Sequence, residues 1–255
     1  MVIRIAFDLE MIPLADGLWC LRRPSYVTCS YVVETSAGVT FIDAGMTGSG
    51  RDVLEALRHI GRRPEDVEAV LLTHWHNDHS AGAYLLQSRY QIPIYGHDRE
   101  RPSLARGTDR RGPRDRVRAL LPDWGLFVLA KGLLGETTPW PIALDHSVTD
   151  GELVAGRFEV IETPGHTPGH LAFFDRETKT LFAGDALAVI DGRVRRMARH
   201  VTPDHGRAHT SMVKLCDQPM AHLCPGHRTP LMTGVSAAMT AFRAELGRDR
   251  WPLLG

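Results

Sequence analysis

The sequence predicts an α/β fold, and three observations carry the prediction. Short β-branched runs alternate with amphipathic, helix-period segments over the first hundred residues. Several of those runs end on His or Asp, as strands feeding a site do. At 255 residues with 43% hydrophobic content, the chain is long enough for a substantial core. No internal repeat or low-complexity linker interrupts it, so residues 1–255 read as a single domain.

The elements follow in order. Residues 27–33 (VTCSYVV) and 39–42 (VTFI) are β-branched and joined by ETSAG, a hairpin pattern that leaves Asp43 at a strand end. After the small-residue loop AGMTGSG, RDVLEALRHI aligns Val53, Leu54, Leu57 and Ile60 on one helical face, and Gly61 stops it. VEAVLLT is an apolar strand, AGAYLLQSRY a helix and IPIYG another strand. The pattern changes at about 97–145, an inserted helical lobe that begins Arg-rich and turns apolar at WGLFVLAKGLL. Short strands return in LVAGRFEVIETPGHTPGHLAFFDRETKTLFAGDAL, with turns at AGR and RETKT. A helix at about 207–217, the strand-like AHLCPGH and a helix at 234–247 complete the pattern.

Composition narrows the function classes. Formal net charge is zero, so whole-molecule electrostatics select neither nucleic acid nor an anionic membrane. The N-terminus has early charges and no signal-like apolar core, and no run approaches a membrane span. Four cysteines without a CxxC pair suit reduced thiols, and the expected compartment is the cytoplasm.

The chemistry concentrates in LLTHWHNDHSAG, residues 71–82. In an extended segment His74 and His76 point the same way and can reach one cation. Asp78 and His79 follow after a bend. Four donors in six residues crowd one tetrahedral ion but suit two neighbouring ions. A solvated polar turn is the competing reading of that loop. Three later strand ends weigh against it: His166 in TPGHTPGH, Asp185 in LFAGDAL and His227 in AHLCPGH.

The ordered set HWHNDH, GH, GD, GH resembles the metallo-β-lactamase superfamily over nearly the whole chain, the lobe excepted. The resemblance implies a four-layer αββα sandwich with metals at one edge of its two sheets. It also implies two divalent ions, zinc first and iron or manganese as alternatives. His74, His76 and His166 would hold the first, Asp78, His79 and His227 the second, and Asp185 would bridge them. A water shared by two cations loses a proton near neutrality and can attack an electrophilic carbon, with Asp78 as the candidate catalytic carboxylate. Asp43, His170 and His205 are candidates for orienting the ligating imidazoles.

Departures within the family choose a branch. True β-lactamases of the family commonly carry Cys or Ser where Asp185 stands, and the flavodiiron branch carries Glu at the place of His76. Glyoxalase II-like thioesterases and lactonases keep all seven donors, so hydrolysis of a carboxylic ester, thioester or lactone is the first expectation. The alternatives are a mononuclear iron dioxygenase of thiols or persulfides and a nuclease. The latter is suggested by eight Arg between Arg99 and Arg118. The expected partner is a small molecule with an apolar part rather than nucleic acid or membrane. The lobe is expected to form its lid or a homodimer interface, with a helix packed on its own domain as the plain alternative. The residues that bind substrate are not legible.

Overall fold

The computed structural model describes residues 2–107 and 140–247. Most of the expected lobe, including the apolar stretch 124–134 and the arginines from Arg110 to Arg118, lies outside them. The chain divides into two compact units, Met1–Ser147 and Val148–Gly255.

The first unit is built on an eight-stranded sheet in sequential order, β1 to β8. Its first five strands, β1 (Ile3–Ala6), β2 (Leu9–Ala15), β3 (Leu18–Arg23), β4 (Thr28–Glu34) and β5 (Val39–Ile42), form an antiparallel meander. The β4–β5 pair is the expected hairpin. β6 (Val67–Leu71), β7 (Ile94–Gly96) and β8 (His146–Ser147) then add in parallel. Parallel neighbours need crossovers, which α1 (Arg51–His59) and α3 (Ala83–Tyr90) help to supply, and the short α4 (Arg101–Leu104) follows β7.

The buried face of α1 differs in detail from the sequence pattern. Val53, Ala56 and Leu57 are buried, while Leu54 and Ile60 are half-buried at its margins. Val53, Ala56 and Leu57 join Phe41, Val70, Leu72 and Leu86 in one apolar cluster, with Ile60 packed against it; each large buried side chain contributes about 1.5–3 kcal/mol. Beneath α1, Arg23 donates to Asp52 at 2.5 Å, and both are nearly excluded from water. Burial pushes the Asp52 carboxyl above the usual aspartate range, against the pull of the Arg23 guanidinium. The pair ties β3 to the first turn of α1.

Strands β1 to β3 are absent from the sequence reading. Charges interleave with apolar residues in IRIAFDLEMIPLADG, which is a half-buried strand pattern: Leu9 and Met11 are buried and Glu10 is not. Pro13 lies beyond the last β1 partner, Met11, so its missing N–H breaks no bond on that side.

The second unit holds a five-stranded sheet of order β15-β12-β11-β10-β9. Its strands are β9 (Leu153–Val154), β10 (Phe158–Glu162), β11 (Leu171–Asp175), β12 (Thr180–Gly184) and β15 (His222–Pro225). Only the β12–β15 pair is parallel. A small hairpin, β13 (Ala188–Ile190) with β14 (Arg193–Arg195), follows β12. Helices α5 (His205–Cys216) and α6 (Val235–Leu246) pack Leu215, Phe242 and Leu246 on Phe174, Leu181 and Leu223. Each unit is thus a sheet with helices packed on it, in agreement with the α/β expectation.

Candidate metal centre

In the first unit, β6 ends at Leu71, the chain bends at Thr73 and runs without regular structure through His76 before the short helix α2 (Asn77–Ser80) begins. This change of backbone puts the two halves of HWHNDH to separate uses. His74 Nε2 and His76 Nδ1 converge to 3.0 Å, and His79 Nε2 lies 3.5 Å from Asp78 Oδ2. Donor atoms on one tetrahedral ion, about 2.0–2.2 Å from the metal, are separated by comparable distances.

Asp43 explains why those nitrogens are available. It stands just past β5 in the left-handed region, φ 57°, an uncommon conformation for a non-glycine residue. Its Oδ1 accepts from the Thr73 amide at 2.8 Å. Its Oδ2 accepts from Thr73 Oγ1 at 2.8 Å and from His79 Nδ1 at 2.7 Å. The Thr73 hydroxyl, having given its proton to Asp43, accepts from His74 Nδ1 at 2.9 Å. Both imidazoles therefore carry their proton on Nδ1 and present a bare Nε2. A single buried carboxylate orients two candidate ligands. Gly82 is needed nearby because a Cβ there would sit 2.1 Å from the Ala44 carbonyl oxygen. Asp78 Oδ2 accepts from Thr28 Oγ1 at 3.3 Å.

The second unit centres on Asp185, which follows β12. Its Oδ2 is 3.3 Å from His166 Nε2 and 3.3 Å from His227 Nε2. His227 follows β15, parallel to β12, so the two strand ends bring Asp185 and His227 together. His166 arrives on the Gly/Pro turn after β10, where Gly165, φ 143°, lets the chain press against α5; a Cβ there would lie 2.5 Å from Ala208 Cα. His170 takes a supporting part: Nδ1–H donates to Thr163 Oγ1 at 2.7 Å, and Nε2 accepts the Asp185 backbone N–H at 3.0 Å. His205 is at the start of α5, and its Nε2 donates to the Arg199 carbonyl at 3.2 Å.

The donor set fits divalent metal ions: imidazoles, of which His74 and His79 present a bare Nε2, plus carboxylates, carried on the loops and the short helix that follow strand ends. No sequence pattern marks Thr28, Thr73 or Thr163, whose hydroxyls bond Asp78, His74 and His170.

The model of the metallo-beta-lactamase superfamily matches residues 23–227. The chain belongs to this superfamily. As a metallo-β-lactamase superfamily member it is an enzyme of the metallo-hydrolase type, and the αββα class is the fold of the family. It is 30% identical over 228 residues to the probable metallo-hydrolase YflN of Bacillus subtilis, covering 80% of this chain and 78% of YflN. It is 26% identical to the hydroxyacylglutathione hydrolase GloC of Haemophilus influenzae, covering 62% of this chain and 66% of GloC. Among solved structures, a di-iron-bound form of TTHA1623 superposes with a TM-score of 0.62 at 28% identity, over 84% of this chain and 94% of that one. Among the described residues, no helix of this superfamily member is long and apolar enough to cross a membrane.

Proposed function

We propose that the protein is a two-metal hydrolase of a carboxylic ester, thioester or lactone. The observation that carries this reading is Asp185 Oδ2, equidistant from two imidazole nitrogens, which is what a bridging carboxylate requires. His74, His76 and His166 are assigned to one divalent ion, Asp78, His79 and His227 to a second, and Asp185 to both. When bound, such ions acidify a water and polarise a carbonyl oxygen. The chain's own residues hold the geometry. Asp43 fixes the tautomers of His74 and His79, His170 fixes the backbone of Asp185, and Thr28 steadies Asp78, which we assign to orienting the attacking water. GloC, a hydroxyacylglutathione hydrolase, supports the thioester branch. Zinc is our first assignment, and the di-iron form of TTHA1623 makes iron the competing one. We also read the two units as halves of a single domain, because one family model runs across both.

The deciding experiment is metal analysis of purified protein, followed by assay against a lactone, a thioester, an aryl ester and a phosphodiester. His76→Ala is expected to abolish the hydrolysis observed. Retained activity would remove the site from the reaction, and one iron per chain with oxygen uptake would replace hydrolysis by thiol or persulfide oxidation.

A further inference from the structure

The second unit carries a surface pocket of about 410 Å³, open to solvent and lined by Arg199, His200, Thr202, Pro203 and His205. Its volume is in the range of small-molecule sites. None of the lining residues is acidic. Arg199 and His200 are exposed on a 3-10 turn, Arg199–Val201. The neighbouring ion pairs run elsewhere, Arg195 to Glu245 and Arg207 to Asp204. Asp204 is further engaged in capping α5 through the Arg207 amide. Among the described residues the Arg199 guanidinium therefore has no carboxylate partner, and it offers a planar fork of donors suited to an anionic oxygen group.

Three contacts place this pocket next to the His166 turn. The Asp204 amide donates to the Gly165 carbonyl at 3.1 Å. Gly165 presses on Ala208 of α5. Thr202 lines both the pocket and a smaller void bounded by His166 and Asp185. The wall is also stiff: Thr202 Oγ1 donates to the Ala198 carbonyl, and His205 Nε2 to that of Arg199.

We propose that this pocket binds an anionic oxygen group of the substrate, a carboxylate or a phosphate, through Arg199 with His200 beside it. The proposal rests on the hydrolase reading and deepens it: the substrate is an acidic ester, thioester or lactone whose charged end lies on the His200 side of Thr202. The rest of the lining, with Pro203 and Thr202 among it, leaves room for the apolar part of the substrate expected from the sequence beside that charged end.

Two measurements test it. Equilibrium dialysis of labelled glutarate against the metal-loaded protein is expected to show binding about tenfold weaker in Arg199→Gln than in the natural chain. Competition by inorganic phosphate then ranks phosphate against carboxylate. Equal glutarate binding by both proteins overturns the proposal. Second, the ratio of kcat/KM for mono-4-nitrophenyl glutarate to that for uncharged 4-nitrophenyl pentanoate is expected to fall about tenfold in Arg199→Gln. An unchanged ratio also overturns it. Should neither ester be hydrolysed, the ester reading fails on its own, and the dialysis still decides the pocket.

Discussion

Replacing Asp43 by Asn changes one atom and reverses the proton logic of two imidazoles. If the amide oxygen keeps the bond from the Thr73 N–H, the amide nitrogen faces Thr73 Oγ1 and His79 Nδ1, where Oδ2 accepted two protons. His79 then has to accept at Nδ1 and carry its proton on Nε2, the atom proposed to bind metal. Thr73 Oγ1 accepts from the new amide and turns its own proton toward His74 Nδ1, so His74 changes tautomer as well. Loss of such a supporting contact lowers metal affinity about 10–100-fold, or about 1.4–2.8 kcal/mol for each ion. Because Asp43 serves one ligand of each proposed ion, both affinities are expected to fall. Asn tolerates the left-handed backbone at φ 57°, so thermal stability of the metal-free protein should change little. Competition with a chromophoric chelator measures both affinities. Affinities within twofold of the natural chain, in a folded variant, would refute the tautomer argument.

Gly165→Ala combines an unfavourable φ with a Cβ 2.5 Å from Ala208 Cα, so we expect a loss of about 2–3 kcal/mol in urea denaturation, accompanied by weakened metal binding. Arg157 grips the buried Asp175 through two bonds, 2.9 and 2.7 Å. Burial alone raises the Asp175 carboxyl, but the hydrogen bonds from Arg157 and Thr178 prevail and hold it below its usual range. A depressed carboxylate stabilises the fold above the unfolded value of about 3.9 and stops doing so as pH falls through the folded one. Arg157→Ala is therefore expected to cost about 3 kcal/mol at neutral pH, with the gap narrowing below about pH 4; a gap independent of pH would refute that assignment.

Much of the site was legible because its donors lie at short, fixed spacing behind apolar runs. His74, His76, Asp78 and His79 sit within one loop, and the switch to helical backbone after His76 is the bend that the spacing required. The alternation from β4 to α3 was equally open to reading, since each element carries its own period. The hydroxyl relays were not. Thr73 and Thr163 look like any strand-end threonines until the fold brings Asp43 to His79 across 36 positions and His170 to the Asp185 amide across 15. Strands β1 to β3 escaped notice for a related reason: their alternation is short and interrupted by Pro13, and becomes informative only once paired. The pocket beside Arg199 arises from a turn, a helix start and a close glycine contact, none of which has a sequence period.

The parallel pairing of β12 with β15 has a consequence for how the second donor group comes into being. Thr180 must find His222 across the β13–β14 hairpin and all of α5, a late, entropically costly closure. During synthesis, His166 and Asp185 leave the ribosome well before the strand that delivers His227. If this group takes up the metal as proposed, capture has to wait until β15 has docked beside β12, so the ion would report on a pairing that forms late.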